Sequence, residues 1–272
     1  MSILFDKSVS ALVYQKYDNN KGFTHRLRTQ FTIEKSDDSS SNKAKISLFN
    51  LSYESRRYLE KDDTLIELSA GYGGHERLLF MGDITDVTHK RYDTDIVSIL
   101  TCADGFNSIQ LASLNLTLAK GSTSHDLIDE CIKSLKIPRG TINYPPAITY
   151  PRGYSYSGKT IILIEKILEP HGFMFSIQNN MAQISDSKQG NKELLLKLSP
   201  DNGLIGSPSK DKKSIKGKSF LRPQISPGQK LEVFSTQLSS KLESLGISTV
   251  SKVIHKGDTH GDVFVSEFES SL

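Results

Sequence analysis

The sequence predicts an α+β chain that is mainly β, with two similar antiparallel β domains, each a β-barrel or sandwich, separated by a small α+β domain. Three observations carry this. Short apolar/polar alternations follow one another between tight turns through the first hundred residues. The apolar period then changes to a helical one, with Leu127, Ile128, Cys131, Ile132 and Leu135 first and Ile161, Ile164, Ile167 and Leu168 later. Finally, a hairpin pattern running from Gly82 to Asp104 returns from Ser248. The expected division is 1–110 for the first β-barrel, 111–190 for the middle domain and 191–272 for the second.

Taken in order, residues 23–34 read as one strand with Phe23, Leu27 and Phe31 on one face. The polar run from Ser36 to Asn42 is a loop, and Ala44 to Phe49 is a second strand. Ser52 is placed to cap a short helix through Leu59, its hydroxyl accepting a first-turn N–H. Lys61-Asp62-Asp63 turns the chain into Thr64 to Tyr72, and Gly73-Gly74 turns it back into Leu78 to Val87. In the middle, Ser122-Thr123-Ser124 offers N-caps for one helix and Ile137-Pro138 ends it. A second helix stops at Pro170-His171-Gly172, and a hairpin turns at Asn179-Asn180. Beyond Pro227-Gly228, a strand from Lys230 to Phe234 leads to the closing hairpin.

The repeat aligns Ile84, Val87, His89 and Lys90 with Val250, Val253, His255 and Lys256. Asp93-Thr94 matches Asp258-Thr259, and Asp95 to Thr101 matches Asp262 to Phe268, with one more residue in the second turn. Repetition of a hairpin with its flanking residues indicates a duplicated β unit.

Composition excludes several classes. With 272 residues, 36% hydrophobic and 24% charged, the chain can fill more than one core. A net charge of +3 names no nucleic-acid partner. The N-terminus lacks the basic start and apolar run of a signal peptide, and no apolar stretch is long enough to span a bilayer, so folding in the cytoplasm is expected. Cys102 and Cys131 read as buried free thiols.

Candidate chemistry is sparse. His255, Asp258, His260 and Asp262 form the densest His/Asp cluster, but they straddle a turn rather than share a helix face, so a structural turn is preferred to a metal site. Gly71 to Gly74 leads into a strand, not the helix that a phosphate loop requires. Glu165 and Glu169 have no third carboxylate beside them. No catalytic residues, metal ligands or cofactors are assigned. Lys210, Lys212, Lys213, Lys216, Lys218 and Arg222 make the strongest charge bias and are a candidate electrostatic contact, against the alternative of a solvated strand edge.

Several stretches follow one another in an order that carries a resemblance. They are Lys45 to Ser52 with Ser55-Arg56, Leu68 to Tyr72, Phe80 to Ile84, Ala103-Asp104-Gly105, Gly203 to Pro208, Leu221 to Gly228 and His255 to Asp262. In this succession the chain resembles the baseplate hub proteins of contractile-tailed bacteriophages, the Mu-type hub and late-control D relatives. The resemblance implies that both β-barrels are tail-tube-like and that three chains form a ring of six similar units. Such a homotrimer would join a sixfold tail tube, or its initiator protein, to a threefold central spike, beside the other baseplate wedge proteins. DNA would pass through the lumen without sequence-specific binding. The implied place is the virion tail baseplate, assembled in the host cytoplasm, with no enzymatic activity. No spike or lysozyme segment is recognised, so such an activity is expected on another polypeptide. The alternatives are a cell-wall-active or polysaccharide-binding tail component and the hub of a related contractile secretion or injection machine.

Overall fold

The computed structural model describes residues 6–16, 18–186, 191–236 and 242–272. The first segment comprises β1 (Lys7–Gln15), β2 (Asp18–His25), β3 (Thr29–Ser36), β4 (Lys43–Phe49), α1 (Tyr53–Leu59), β5 (Thr64–Tyr72), β6 (His75–Tyr92) and β7 (Asp95–Ala103). The middle comprises α2 (Phe106–Leu111), β8 (Ser113–Leu118), α3 (Ser124–Leu135), β9 (Arg139–Ile142), β10 (Tyr154–Lys159), α4 (Thr160–Leu168), β11 (Phe173–Gln178) and β12 (Met181–Asp186). The last comprises β13 (Asn191–Leu198), β14 (Leu204–Lys210), β15 (Ser214–Phe220), β16 (Gln229–Ser235), β17 (Glu243–Asp258) and β18 (Phe264–Ser271). The chain is thus mainly β, with antiparallel pairing dominant.

Among the described residues, the strands of the first and last segments belong to one 13-stranded sheet. Its two parts meet where β17 pairs antiparallel with β3, from Lys252 opposite Ser36 to Asp258 opposite Gln30. The first core gathers Ile33, Ile46, Leu48, Ile66, Leu68, Phe80 and Leu100 from five neighbouring strands, which requires the sheet to curl round them. Leu221 and Phe264 from the last segment complete it. A second core packs Leu127, Cys131 and Leu135 of α3 against Leu163 and Ile164 of α4, over Phe175 and Ile184 of the β11–β12 pair. The third lies under Ile215, Leu231, Val233, Val250, Val253 and Phe268.

Local chemistry explains the element ends. Thr123 closes a capping box on α3 with Asp126, and Lys136 leaves the helix in the left-handed region. Ser52 accepts from the Ser55 N–H at the start of α1. Asn179 and Asn180 both adopt positive φ between β11 and β12, as a two-residue hairpin turn of matching twist demands. Gly73 and Gly74 do the same between β5 and β6.

The structure corrects three readings. Residues 23–34 are not one strand: the ladder breaks between β2 and β3, and Leu27 is 59% exposed. Arg28 sits in that break, its guanidinium stacked on Phe49 and paired with Asp258. A strand the alternation reading passed over is β1, which buries Val9, Ala11 and Val13. The repeated hairpins also differ by two loop residues, because their last shared rung is Arg91 opposite Ile96 in one and Gly257 opposite Phe264 in the other.

Candidate assembly interface

The β6–β7 and β17–β18 hairpins are alike beyond their pattern. Each first strand carries one bulge, between Ile84 and Asp86 and between Val250 and Lys252. The bulged Thr85 hydroxyl donates to the Thr101 carbonyl at 3.0 Å, and the bulged Ser251 hydroxyl to the Glu269 carbonyl at 3.1 Å. Further along, His89 Nδ1 lies 2.9 Å from Ser98 Oγ and His255 Nδ1 lies 2.8 Å from Ser266 Oγ. The neighbours repeat too: β4–β7–β6–β5 recurs as β15–β18–β17–β16. The true partner of Ser98 is therefore Ser266, one position beyond the alignment read from sequence.

One difference between the copies matters. The outer edge of β17 from Lys252 to Asp258 is filled by β3. The corresponding edge of β6, Asp86 to Tyr92, pairs only with β7 among the described residues. Conversely, β3 pairs on both sides, whereas among the described residues its counterpart β14 pairs only with β15. Each chain thus ends in two open edges whose counterparts are already joined inside it.

Beside the open β6 edge lies a cleft of about 590 Å³, lined by residues 59–63 and 83–87. Glu60, Asp62, Asp63, Asp83 and Asp86 face it against Lys61 alone. The basic candidates are divided by the structure. Lys216 pairs with Glu269 at 3.0 Å and Lys218 with Glu267 at 3.4 Å across the β15–β18 ladder. Lys210 donates to the Leu245 carbonyl, and the half-buried Arg222 to that of Asn202. Burial pushes the Arg222 pKa down from its ordinary value. Lys212 and Lys213 are left, exposed at the β14–β15 turn.

The His255 cluster does not converge. His255 is fully enclosed, and burial, with the nearby Lys35 charge, lowers its pKa to about 3, so the ring is neutral. Burial pushes the Asp258 carboxyl up, but hydrogen bonds from the His260 N–H, Arg28 and Gln30 outweigh it and hold the pKa at about 2. Its Oδ2 takes Arg28 at 3.1 Å and Gln30 at 2.8 Å, which fastens the β3–β17 seam. Among the described residues, no group of three or more His, Cys, Asp or Glu side chains is placed to hold a metal ion.

Sequence reasoning missed a polar knot where the first sheet meets the middle segment. Lys35 Nζ, buried, donates to Asn179 Oδ1 at 2.7 Å. Asn42 Nδ2 donates to the Ile177 carbonyl at 2.7 Å, to Gln178 Oε1 at 3.1 Å and to Asp104 Oδ2 at 3.3 Å. The Asn180 N–H meets Asp104 Oδ1 at 2.5 Å. Burial lowers the Lys35 pKa to about 8 and raises that of Asp104 to about 6, each partly countered by the other's charge. Asn42, Asp104 and the Asn179-Asn180 pair fall in a polar loop, an Ala-Asp-Gly stretch and a turn that nothing local links to one another or to Lys35.

This fold is that of phage tail proteins. The chain is similar in structure to a tail protein from Neisseria meningitidis MC58, with a TM-score of 0.67, 9% identity and coverage of 98% of this chain and 97% of that one. It is similar also to the 43 kDa tail protein of prophage MuSo2 from Shewanella oneidensis, with a TM-score of 0.65, 8% identity and 96% of each chain covered. A third is a type VI secretion system component from Escherichia coli, described as structurally similar to the T4 bacteriophage tail proteins gp27 and gp5. There the TM-score is 0.63 at 13% identity, over 89% of this chain and 73% of that one. No protein-family model matches the chain, and no curated protein matches it in sequence.

Proposed function

We propose that this chain is a structural baseplate hub subunit of a contractile phage tail, of the Mu-type or late-control D kind. Three copies form a ring that joins a sixfold tail tube, or its initiator, to a threefold spike and contacts the surrounding wedge proteins. The carrying observation is the internal repeat of four strands with the same order, bulge and His–Ser pair. Two such units per chain make six in a trimer, which reconciles threefold with sixfold symmetry. The near end-to-end likeness to tail proteins supports the same reading. On it, 1–110 and 191–272 are the two tube-like barrels and 111–190 is the insertion that distinguishes them.

The outward face of the shared sheet suits a DNA passage. Lys252 lies against Glu34, Lys256 against Glu267, and Lys216 and Lys218 against Glu269 and Glu267. Charges paired in this way leave little net field, so a passing polyanion is neither held nor repelled. No catalytic role is assigned. A second reading, the hub of a type VI secretion machine, draws on the likeness to the Escherichia coli component. Light scattering tests the ring: a mass near three times 30.2 kDa is expected, with six lobes in images of the particles. Failure to form a trimer alone or with tube and spike proteins refutes it. Co-assembly with phage rather than secretion tube protein separates the two readings.

A further inference from the structure

Six β units in a ring need a contact between chains wherever the chain itself does not supply one, and the repeat specifies that contact residue by residue. Thr101 and Glu269 are equivalent, since each accepts from the bulged hydroxyl opposite it. Lys45 stands opposite Thr101 and Lys216 opposite Glu269, so these lysines are equivalent as well. On their other sides, Lys45 faces Thr32 in β3 and Lys216 faces Ser209 in β14. Thr32 in turn lies opposite Lys256, whose counterpart in the first hairpin is Lys90.

We propose that the open edge of β6 is filled by β14 of the next copy of this chain, antiparallel, with Lys90 opposite Ser209 and His89 opposite Lys210. The proposal rests on the ring reading and names its seam. Continued along the same register, the β14–β15 turn brings Lys212 and Lys213 against Val87 and Asp86, at the mouth of the acidic cleft. Inside the chain, the equivalent positions are held by Lys35 and Ser36 at the end of β3, opposite Val253 and Lys252. Charge agrees with the placement. The two lysines of the group whose side chains have no partner among the described residues arrive where Glu60, Asp62 and Asp86 gather. The β14 edge is also guarded against other strands. Its pairing with β15 is irregular between Ile205 and Ser209, where Gly206 takes a φ of +68° and Pro208 has no N–H to offer. Only a short ladder remains on that side, so the lysine contacts carry much of the selectivity. The contact between copies is head-to-tail, which closes into a ring rather than a two-fold dimer.

Cysteine pairs test the register in the full chain, because Cys102 and Cys131 are buried and give no background. Lys90→Cys with Ser209→Cys, both at exposed positions, is expected to yield covalently linked trimers under mild oxidation. Lys90→Cys with Lys212→Cys, about 10 Å out of register, is expected to link poorly. Lys212→Glu with Lys213→Glu is expected to weaken self-association about tenfold per seam, and Asp62→Lys with Asp86→Lys to restore it. Trimers that link through the second cysteine pair and not the first overturn the register. Trimers that link through neither, and ignore the charge reversal, overturn the seam but leave the hub standing. A chain that stays monomeric and unlinked at every concentration, with tube and spike proteins present, overturns both.

Discussion

Replacing Lys35 with methionine keeps the length of the side chain and removes its charge from the knot. Lys35 and Asp104 are both buried, and Asp104 then retains the Asn179 and Asn180 N–H groups and the Asn42 amide. Lys35 bonds Asn179 and acts on Asp104 through its charge, so its removal leaves a buried acceptor unmet and a carboxylate less compensated, at a cost of about 1–3 kcal/mol. The sign with pH follows from the direction of each shift. Asp104 titrates at about 6 in the folded chain, above its ordinary value, so folding favours its protonated form and stability falls as pH rises from about 4 to 6. Lys35 titrates at about 8, below its ordinary value, so stability rises between about 8 and 10. The intact pair is therefore least favourable between those windows, where both groups are charged. In Lys35→Met the carboxyl shifts further up, and the loss shrinks at pH 5, where it is protonated. Adding Asp104→Asn removes the second charge and is expected to recover most of the loss, since a neutral replacement of both partners is often tolerated. Urea unfolding of the three variants at pH 5 and pH 7 reads all of this. A loss under about 1 kcal/mol at pH 7, or one that does not shrink at pH 5, refutes the account.

Three further outcomes are expected. Gly257→Ala puts a Cβ 2.3 Å from Phe31 Cζ and 2.9 Å from Phe264 Cδ2, so calorimetry should show a loss of about 1–3 kcal/mol with the β3–β17 seam loosened in amide exchange. The His255 ring, with its pKa lowered to about 3, is expected to give constant NMR signals from pH 8 down to 5, while its burial costs stability as pH falls below about 6; a ring titrating near pH 6 contradicts the enclosure. Thr123→Ala removes the α3 capping box and should cost about 1 kcal/mol in chemical denaturation; an unchanged midpoint would show that packing alone sets that helix end.

What could be read from the chain was what the chain encodes locally. Both long helices lie where the apolar period puts them, because Leu127, Cys131 and Leu135 on one and Ile164 and Leu168 on the other face a single core. The Asn179-Asn180 hairpin was legible because its turn needs two residues at positive φ. β1 was not legible because Leu12 and Tyr14, on its outward side, interrupt the alternation that puts Val9, Ala11 and Val13 in the core. The break at Arg28 was not legible because the residue that Arg28 meets there, Asp258, is far away in sequence. The meaning of the lysine run divided in the same way. Lys216 and Lys218 answer glutamates on a strand that only the fold brings alongside, and sequence could not tell them from Lys212 and Lys213.

The joined seam and the open one differ in a way that fits their order of formation. Within the chain, Gly257 lets the Phe31 and Phe264 rings close over the strand, and Asp258 clamps Arg28 and Gln30, so β3–β17 is set by buried packing and a carboxylate held ionised. In the first hairpin, the counterparts of Gly257 and Asp258 are Arg91 and Tyr92, both exposed. An edge carrying Lys90 and Arg91, which on the proposed seam faces a β14 interrupted by Pro208, resists pairing with unrelated strands. The inner seam can therefore form during folding, from apolar burial. The outer one is left to charge, which acts at a distance, speeds encounter and weakens with salt. On the hub reading, assembly of the ring should thus slow markedly as ionic strength rises, while the unfolding midpoint of the single chain changes little. Equal salt sensitivity of the two would mean that the seams are not built on different physics.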